Sequence, residues 1–242
     1  MKRVCMIGNS HLAAMKQAID NGFTLENTEV DFFGAVLKQF ADCELSDGVI
    51  RPADDRARDA FAKTSSGKTE IIVGEYDEFW VFMGKSPFFL PLYFPNTLYE
   101  PVSDGLVRAV CLSWSRDPLV AFSIHLAQSF PDLTVRFAGQ PFASEAAGWA
   151  KAFLRSVPQD GAARFKWISA IVAHELEHLL PGNMQAVLPP DSCLEDHGLF
   201  TRDAMCRGSQ RLLYDEEHKG GDFVHMNAMY GQEMLEKMWA LS

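Results

Sequence analysis

Ser10 stands where a short apolar run, Val4 to Ile7, gives way through Gly8-Asn9 to a helical pattern. A serine at such a turn carries a hydroxyl that can attack a carbonyl. Its own N–H, unpaired at the helix start and lying in the positive end of the helix dipole, can stabilise the oxyanion that results. Near the far end of the chain, Asp222 precedes His225 within Gly220-Gly221-Asp222-Phe223-Val224-His225. In a turn or a first helical turn, that spacing lets a carboxylate face imidazole Nδ1 and fix the tautomer, leaving Nε2 to take a proton from a serine. Taken singly, Ser10 and Asp222 each read as an ordinary helix N-cap. Taken together, they and His225 are a nucleophile, its base and the acid that orients the base.

These parts work only if the fold brings them together. Short β-rich runs alternate with longer helical patterns: strands at 3–7, 29–33, 79–83, 133–138 and 185–188, helices at 11–19, 103–130, 144–154, 162–180 and 225–241. Such alternation predicts parallel pairing through crossover helices, an α/β class with a doubly wound sheet. In open sheets of this kind ligands bind beyond the carboxyl ends of the strands, which is where Ser10 falls. Gly34 falls at the same end of the second strand, where a bare backbone N–H could serve as a second oxyanion donor; its plain reading is a strand-end turn. The last helix of a doubly wound domain packs beside the first strand, so its start can lie near Ser10. Residues 40–76, with Asp47-Gly48 and a β-branched run at 69–73, read as an inserted β-hairpin with a helical piece at 54–62. Residues 86–102, rich in proline and aromatics, read as a long loop able to wall a pocket. The whole chain, 1–242, reads as one domain.

Gly8-Asn9-Ser10-His11-Leu12, Gly34 after the second strand, Gly84 after the third and Asp222-x-x-His225 resemble the landmarks of the SGNH (GDSL-type) hydrolases. The resemblance implies a three-layer α/β/α fold with a flavodoxin-like parallel sheet of five strands in the order 2-1-3-4-5. It implies ester or thioester hydrolysis with no metal or organic cofactor, by a serine esterase whose substrate would be a small molecule or an ester of a carbohydrate or glycoconjugate. It gives Ser10 as nucleophile, His225 as base, Asp222 as orienting acid and Gly34 as second oxyanion donor. The family's third block is usually G-x-N-D, with its Asn as third oxyanion donor, whereas this chain reads Gly84-Lys85-Ser86-Pro87. Ser86 or Lys85 would have to compensate, because losing one such donor typically costs about 10²–10³ in rate. Asn9 replaces an Asp that is not one of the family's catalytic groups. An acyltransferase with the same triad, and a non-catalytic SGNH-like protein of polysaccharide metabolism, both stay open.

A rival motif is His174-Glu175-Leu176-Glu177-His178, which fits the H-E-x-x-H of zinc peptidases. At about 100° per residue, Phe165, Ile168, Val172, Leu176 and Leu179 form the core stripe, and the two histidines fall roughly opposite it. A catalytic zinc also needs a third protein ligand, which Glu195, Asp196 or His197 could supply only by folding back. The expectation is therefore a solvated helical face, made partly apolar by Trp167 and Ile171, with room for a protein contact or a homodimer interface. His125 reads as a hydrogen-bonded structural residue, and Arg207 or Arg211 as surface cations able to meet an anionic group.

Bulk properties bound the rest. Hydrophobic residues are 48% and charged residues 22% of the 242, which excludes wholesale disorder. A formal net charge of -10 argues against nucleic-acid and membrane-surface binding. No signal-peptide core or membrane span is visible. Five cysteines without C-x-x-C spacing predict reduced thiols and a cytoplasmic location.

Overall fold

In the computed structural model, residues 1–241 apart from 197 and 215 are described, with side chains at all of these but 37, 38 and 93. The elements that matter begin with β1 (Lys2–Gly8), α1 (Leu12–Asp20), β2 (Thr28–Gly34) and α2 (Leu37–Ala41). A small antiparallel unit follows: β3 (Glu44–Ser46), β4 (Val49–Arg51), α3 (Asp55–Thr64) and β5 (Ile71–Ile72). The insertion is thus three-stranded, one strand more than the expected hairpin. Then come β6 (Glu78–Phe82), the single turn α4 (Leu90–Tyr93), α5 (Asp104–Ser115), α6 (Pro118–Ser129) and β7 (Thr134–Phe137). The chain closes with α7 (Gly148–Leu154), α8 (Gly161–Leu179), β8 (Met184–Ala186) and α9 (Ala228–Ala240).

The main sheet is five-stranded and parallel, in the order β2-β1-β6-β7-β8. This is the expected 2-1-3-4-5 arrangement, because β6, β7 and β8 are the third, fourth and fifth strands of the main sheet. Side-chain alternation sorts its strands onto two cores. Cys5, Ile7, Phe33, Phe79, Val81, Val135 and Phe137 face one layer, with α3, α5, α6 and α8 over them. Val4, Met6, Phe32, Trp80 and Phe82 face the other, under α1 and α9. Burial on both faces explains why these strands read as near-continuous apolar runs.

Two helical expectations are corrected. The predicted helix over 103–130 is two helices, α5 and α6. Pro118 cannot continue the first, having no N–H and clashing with the preceding turn, but it suits the first position of a new helix. Asp117 caps that start, its Oδ1 accepting the Leu119 N–H at 3.0 Å. The last helix begins at Ala228 and not at 225, because Asn227 is its N-cap, accepting from the Met229 and Tyr230 amides. Asp222 and His225 therefore sit on the loop before it. Residues 86–102 hold two 3₁₀ turns, Pro87–Phe89 and Pro95–Leu98, around α4, and Phe88, Phe89 and Leu90 are buried in the core. No described helix is long and apolar enough to cross a membrane. All five cysteines are free thiols.

Candidate functional site

β1 ends at Gly8, where a Cβ would come within 2.7 Å of the Phe82 carbonyl, so only glycine lets the chain turn here against β6. Asn9 then opens the turn into α1 and Ser10 follows it, half-buried at the carboxyl edge of the sheet. α9 reaches the same place from the other end of the sequence. Its Gly231 lies against the Ala14 carbonyl of α1, with no room for a side chain between the two helices.

Ahead of α9, Asp222 folds its own loop. Its Oδ1 accepts the Val224 and His225 N–H groups, each at 3.0 Å. Its Oδ2 lies 2.8 Å from His225 Nδ1. A carboxylate in this state only accepts, so His225 carries its proton on Nδ1 and presents the Nε2 lone pair. That Nε2 lies 2.9 Å from Ser10 Oγ, across 215 positions of sequence. Burial pushes the Asp222 carboxyl up, but the Val224 and His225 amides and the His225 ring outweigh it, leaving its pKa below the usual value.

Two further histidines flank the pair. His218 stacks on His225 with ring centroids 3.9 Å apart and planes 8° from parallel, its Nδ1 lying 3.2 Å from Asp222 Oδ2. His11 stacks more loosely on His225, at 5.1 Å and 25°. Burial, then the neighbouring His225, pushes the His11 pKa down to about 3. The same two causes lower His218. Sequence reading assigned neither a role. The only signal for His11 was its place directly after Ser10, and His218 has none, since its stacking is a product of the loop's path.

His218, Asp222 and His225 are also the one cluster of metal-ligand types among the described residues. An imidazole binds a metal in its own ring plane, with Zn–N about 2.0–2.1 Å. Two rings stacked face to face cannot both meet that condition, and Asp222 already holds His225 Nδ1. The trio fits a hydrogen-bonded unit better than a metal site.

Ser10, His218 and His225 open into a cavity of about 370 Å³, walled by Asn9, Ala35, Val36, Leu212, Leu213 and Tyr214, with Arg211 at its edge. The loop before α9 thus covers the site. Arg211 pairs with Glu216, and Arg207 with Asp203, so neither guanidinium stands alone.

The groups expected as oxyanion donors sit in different settings. Ser10's own N–H has no acceptor among the described residues. Gly34 does not offer the open amide expected of it: its N–H donates to Thr64 Oγ1 at 2.8 Å, and Leu212 packs where its side chain would be. Gly84 makes a turn at φ +75° and its carbonyl accepts from the Gln140 amide. Lys85 and Ser86 line a different cavity, with Pro87, Phe94 and Trp114, and Ser86 Oγ accepts the Phe88 N–H at 3.3 Å. Neither residue borders the Ser10 cavity.

No family model matches the chain, and no curated protein matches it in sequence. Solved structures do. The chain is similar to a Streptococcus pneumonia protein provisionally described as a platelet activating factor, at 10% identity over 99% of this chain and 83% of that one, with a TM-score of 0.51. It also matches a GDSL-like lipase from Bacteroides thetaiotaomicron VPI-5482, at 12% identity over 99% and 88% of the two chains, TM-score 0.39. A third match is a carbohydrate esterase family 2 enzyme with a carbohydrate binding domain from Corynascus thermopiles (Myceliophthora fergusii), at 11% identity over 99% and 66%, TM-score 0.36. Identities this low speak to the fold alone, an α/β fold built on a five-stranded parallel sheet.

The zinc-peptidase motif lies elsewhere. Phe165, Ile168, Val172 and Leu176 of α8 are buried, Leu179 is half-buried, and His174 and His178 are exposed. Their rings pack edge to face at 4.7 Å, and Glu175 lies 3.6 Å from Arg108 Nε. Burial raises the Glu195 pKa, and its carboxyl is also bonded to that of Glu145. His197 lies outside the described residues. His125 is exposed on α6 with no side-chain partner among the described residues, a correction to its structural reading that follows from its place on the outer face of that helix.

Proposed function

We propose that this protein is a serine hydrolase of acyl esters, with Ser10 as nucleophile, His225 as general base and Asp222 as the acid that orients it. The 2.9 Å approach of His225 Nε2 to Ser10 Oγ carries the reading. Ser10 Oγ attacks the acyl carbon while its proton passes to His225 Nε2, and Asp222 holds the imidazolium that forms. The Ser10 N–H faces the oxyanion. Collapse expels the alcohol, which takes the proton back from Nε2. Water, deprotonated by the same nitrogen, then releases the acid from Ser10.

The aliphatic lining of Ala35, Val36, Leu212 and Leu213 suits a hydrocarbon acyl group better than a charged one. A glycoconjugate alcohol would project outward past Tyr214, itself exposed at the cavity. Acyl transfer to a second alcohol follows the same steps with that alcohol in place of water. Wild type and Ser10→Ala, compared with a fluorophosphonate probe and p-nitrophenyl acetate, test the proposal. Labelling and turnover that vanish with Ser10 support it; an inert, unlabelled wild type rejects it.

A further inference from the structure

The Ser10 N–H is one donor, and a tetrahedral oxyanion at a serine site needs more than one to be well stabilised. Asn9 is 5% exposed and borders the same cavity as Ser10. Its Oδ1 accepts the His11 N–H at 3.1 Å. A backbone N–H can only donate, so the oxygen of the amide must be the atom turned toward it. The orientation of the amide is thereby fixed, and Nδ2 is left with two N–H donors and no acceptor among the described residues.

Two other asparagines show how unusual that is in this molecule. Asn183 Nδ2 reaches the carbonyls of Ala127, Phe130 and Leu133 at 3.0, 3.0 and 2.7 Å. Asn227 Nδ2 reaches those of Ala204 and Arg207, both at 2.8 Å. Asn9 Nδ2 instead keeps two unspent donors beside Ser10, at the wall of the cavity that both residues border. The competing donors are occupied: the Gly34 N–H by Thr64, the Ala35 N–H by the Gly8 carbonyl and the Val36 N–H by Gln39.

We infer that Asn9 Nδ2 is the second oxyanion donor, acting beside the Ser10 N–H on the acyl oxygen. The inference rests on the serine-hydrolase reading and adds a catalytic residue to it. Asn9 then has two tasks, with Oδ1 holding the turn that aims Ser10 and Nδ2 meeting the charge that Ser10 creates.

Asn9→Asp and Asn9→Ser separate the tasks. Both keep an oxygen that can accept the His11 N–H, and both lose the NH₂ donor. Each is expected to lower kcat/KM for p-nitrophenyl acetate by about 10²–10³, with fluorophosphonate labelling slowed in parallel and the fold retained by circular dichroism. Asp should be the worse, because it sets a negative charge against the oxyanion. In the phosphonylated wild type, whose phosphoryl oxygen occupies the oxyanion position, the Asn9 side-chain amide protons should move downfield by NMR. If both variants keep kcat/KM within about threefold of wild type while Ser10→Ala abolishes it, the inference is overturned and the serine reading stands. Amide resonances unmoved by phosphonylation overturn it in the same way. A wild type that neither labels nor turns over removes both.

Discussion

Asp222→Asn alters one atom and should disable the site while leaving its shape intact. The Val224 and His225 N–H groups, both at 3.0 Å from Oδ1, demand an acceptor and will keep the asparagine oxygen there. The new NH₂ then falls at the position of Oδ2, 2.8 Å from His225 Nδ1. Two donors cannot face one another, so His225 must move its proton to Nε2. Nε2 would then offer Ser10 a proton where it had offered a lone pair, and the hydroxyl would have no base. The same inversion in a chymotrypsin-type protease lowers kcat by about 10⁴, equivalent to about 5.4 kcal/mol of barrier. Flipping the amide to save the tautomer would aim its NH₂ at two backbone donors and forfeit two hydrogen bonds, at about 1 kcal/mol each. The expected result is a loss of about 10⁴ in kcat/KM for p-nitrophenyl acetate at neutral pH, with slow phosphonylation and a melting temperature near wild type. A folded variant retaining activity within about tenfold would refute the view that Asp222 sets the His225 tautomer.

The remaining predictions concern stability and the donors around the site. His11 takes up a proton near pH 6.5 when unfolded but only near about 3 when folded, so its contribution is intact above 6.5 and is lost as pH falls toward 3. Between these values the unfolded chain binds the extra proton, and stability should fall by about 1.4 kcal/mol per pH unit on this account; His11→Gln should flatten the urea-derived profile by that slope, and an unchanged profile would count against a buried neutral His11. Gly231→Ala would drive a methyl group onto the Ala14 carbonyl and should cost about 3 kcal/mol, the upper end for overpacking, because the obstacle is backbone. Thr64→Val removes the acceptor of the Gly34 N–H and should destabilise by about 1–3 kcal/mol with kcat/KM unchanged; a several-fold gain in kcat/KM would return Gly34 to the oxyanion hole.

The sheet was legible because its central strands β1, β6 and β7 are buried on both faces and most strands end at or near a glycine, so apolar runs and punctuation agreed. The break at Pro118 was legible too, in the Asp-Pro pair, but the apolar periodicity running through it won the reading. Ser10, Asp222 and His225 could be named because each lies at a chain position that the topology fixes. The state of the expected donor amides could not. Whether a backbone N–H is free depends on partners that local sequence does not reveal, and Gly34 is bonded to a threonine 30 positions away. Asn9 was passed over because it stands where the resembled family has an Asp outside its catalytic groups, and only the empty side of its amide distinguishes it.

The two halves of the site are held to different standards of rigidity, and this bears on where its precision comes from. Ser10 rides on the start of α1, fixed by β1 behind it and the Asn9 turn. His225 rides on a loop, but both ends of that loop are tied. Asp222 holds two amides at one end, and Asn227 at the other caps α9 while its Nδ2 clasps the carbonyls of Ala204 and Arg207. α9 in turn locks to α1 where Gly231 meets Ala14, so the helix that follows His225 is packed against the helix that follows Ser10. A misplacement of about 1 Å can cost about 10² in rate, and here the bond between Ser10 and His225 is set by helix packing and not by loop conformation alone. His11 and His218 then close the faces of the His225 ring. Burial lowers the pKa of both, which works against a second positive charge forming beside the His225 ring.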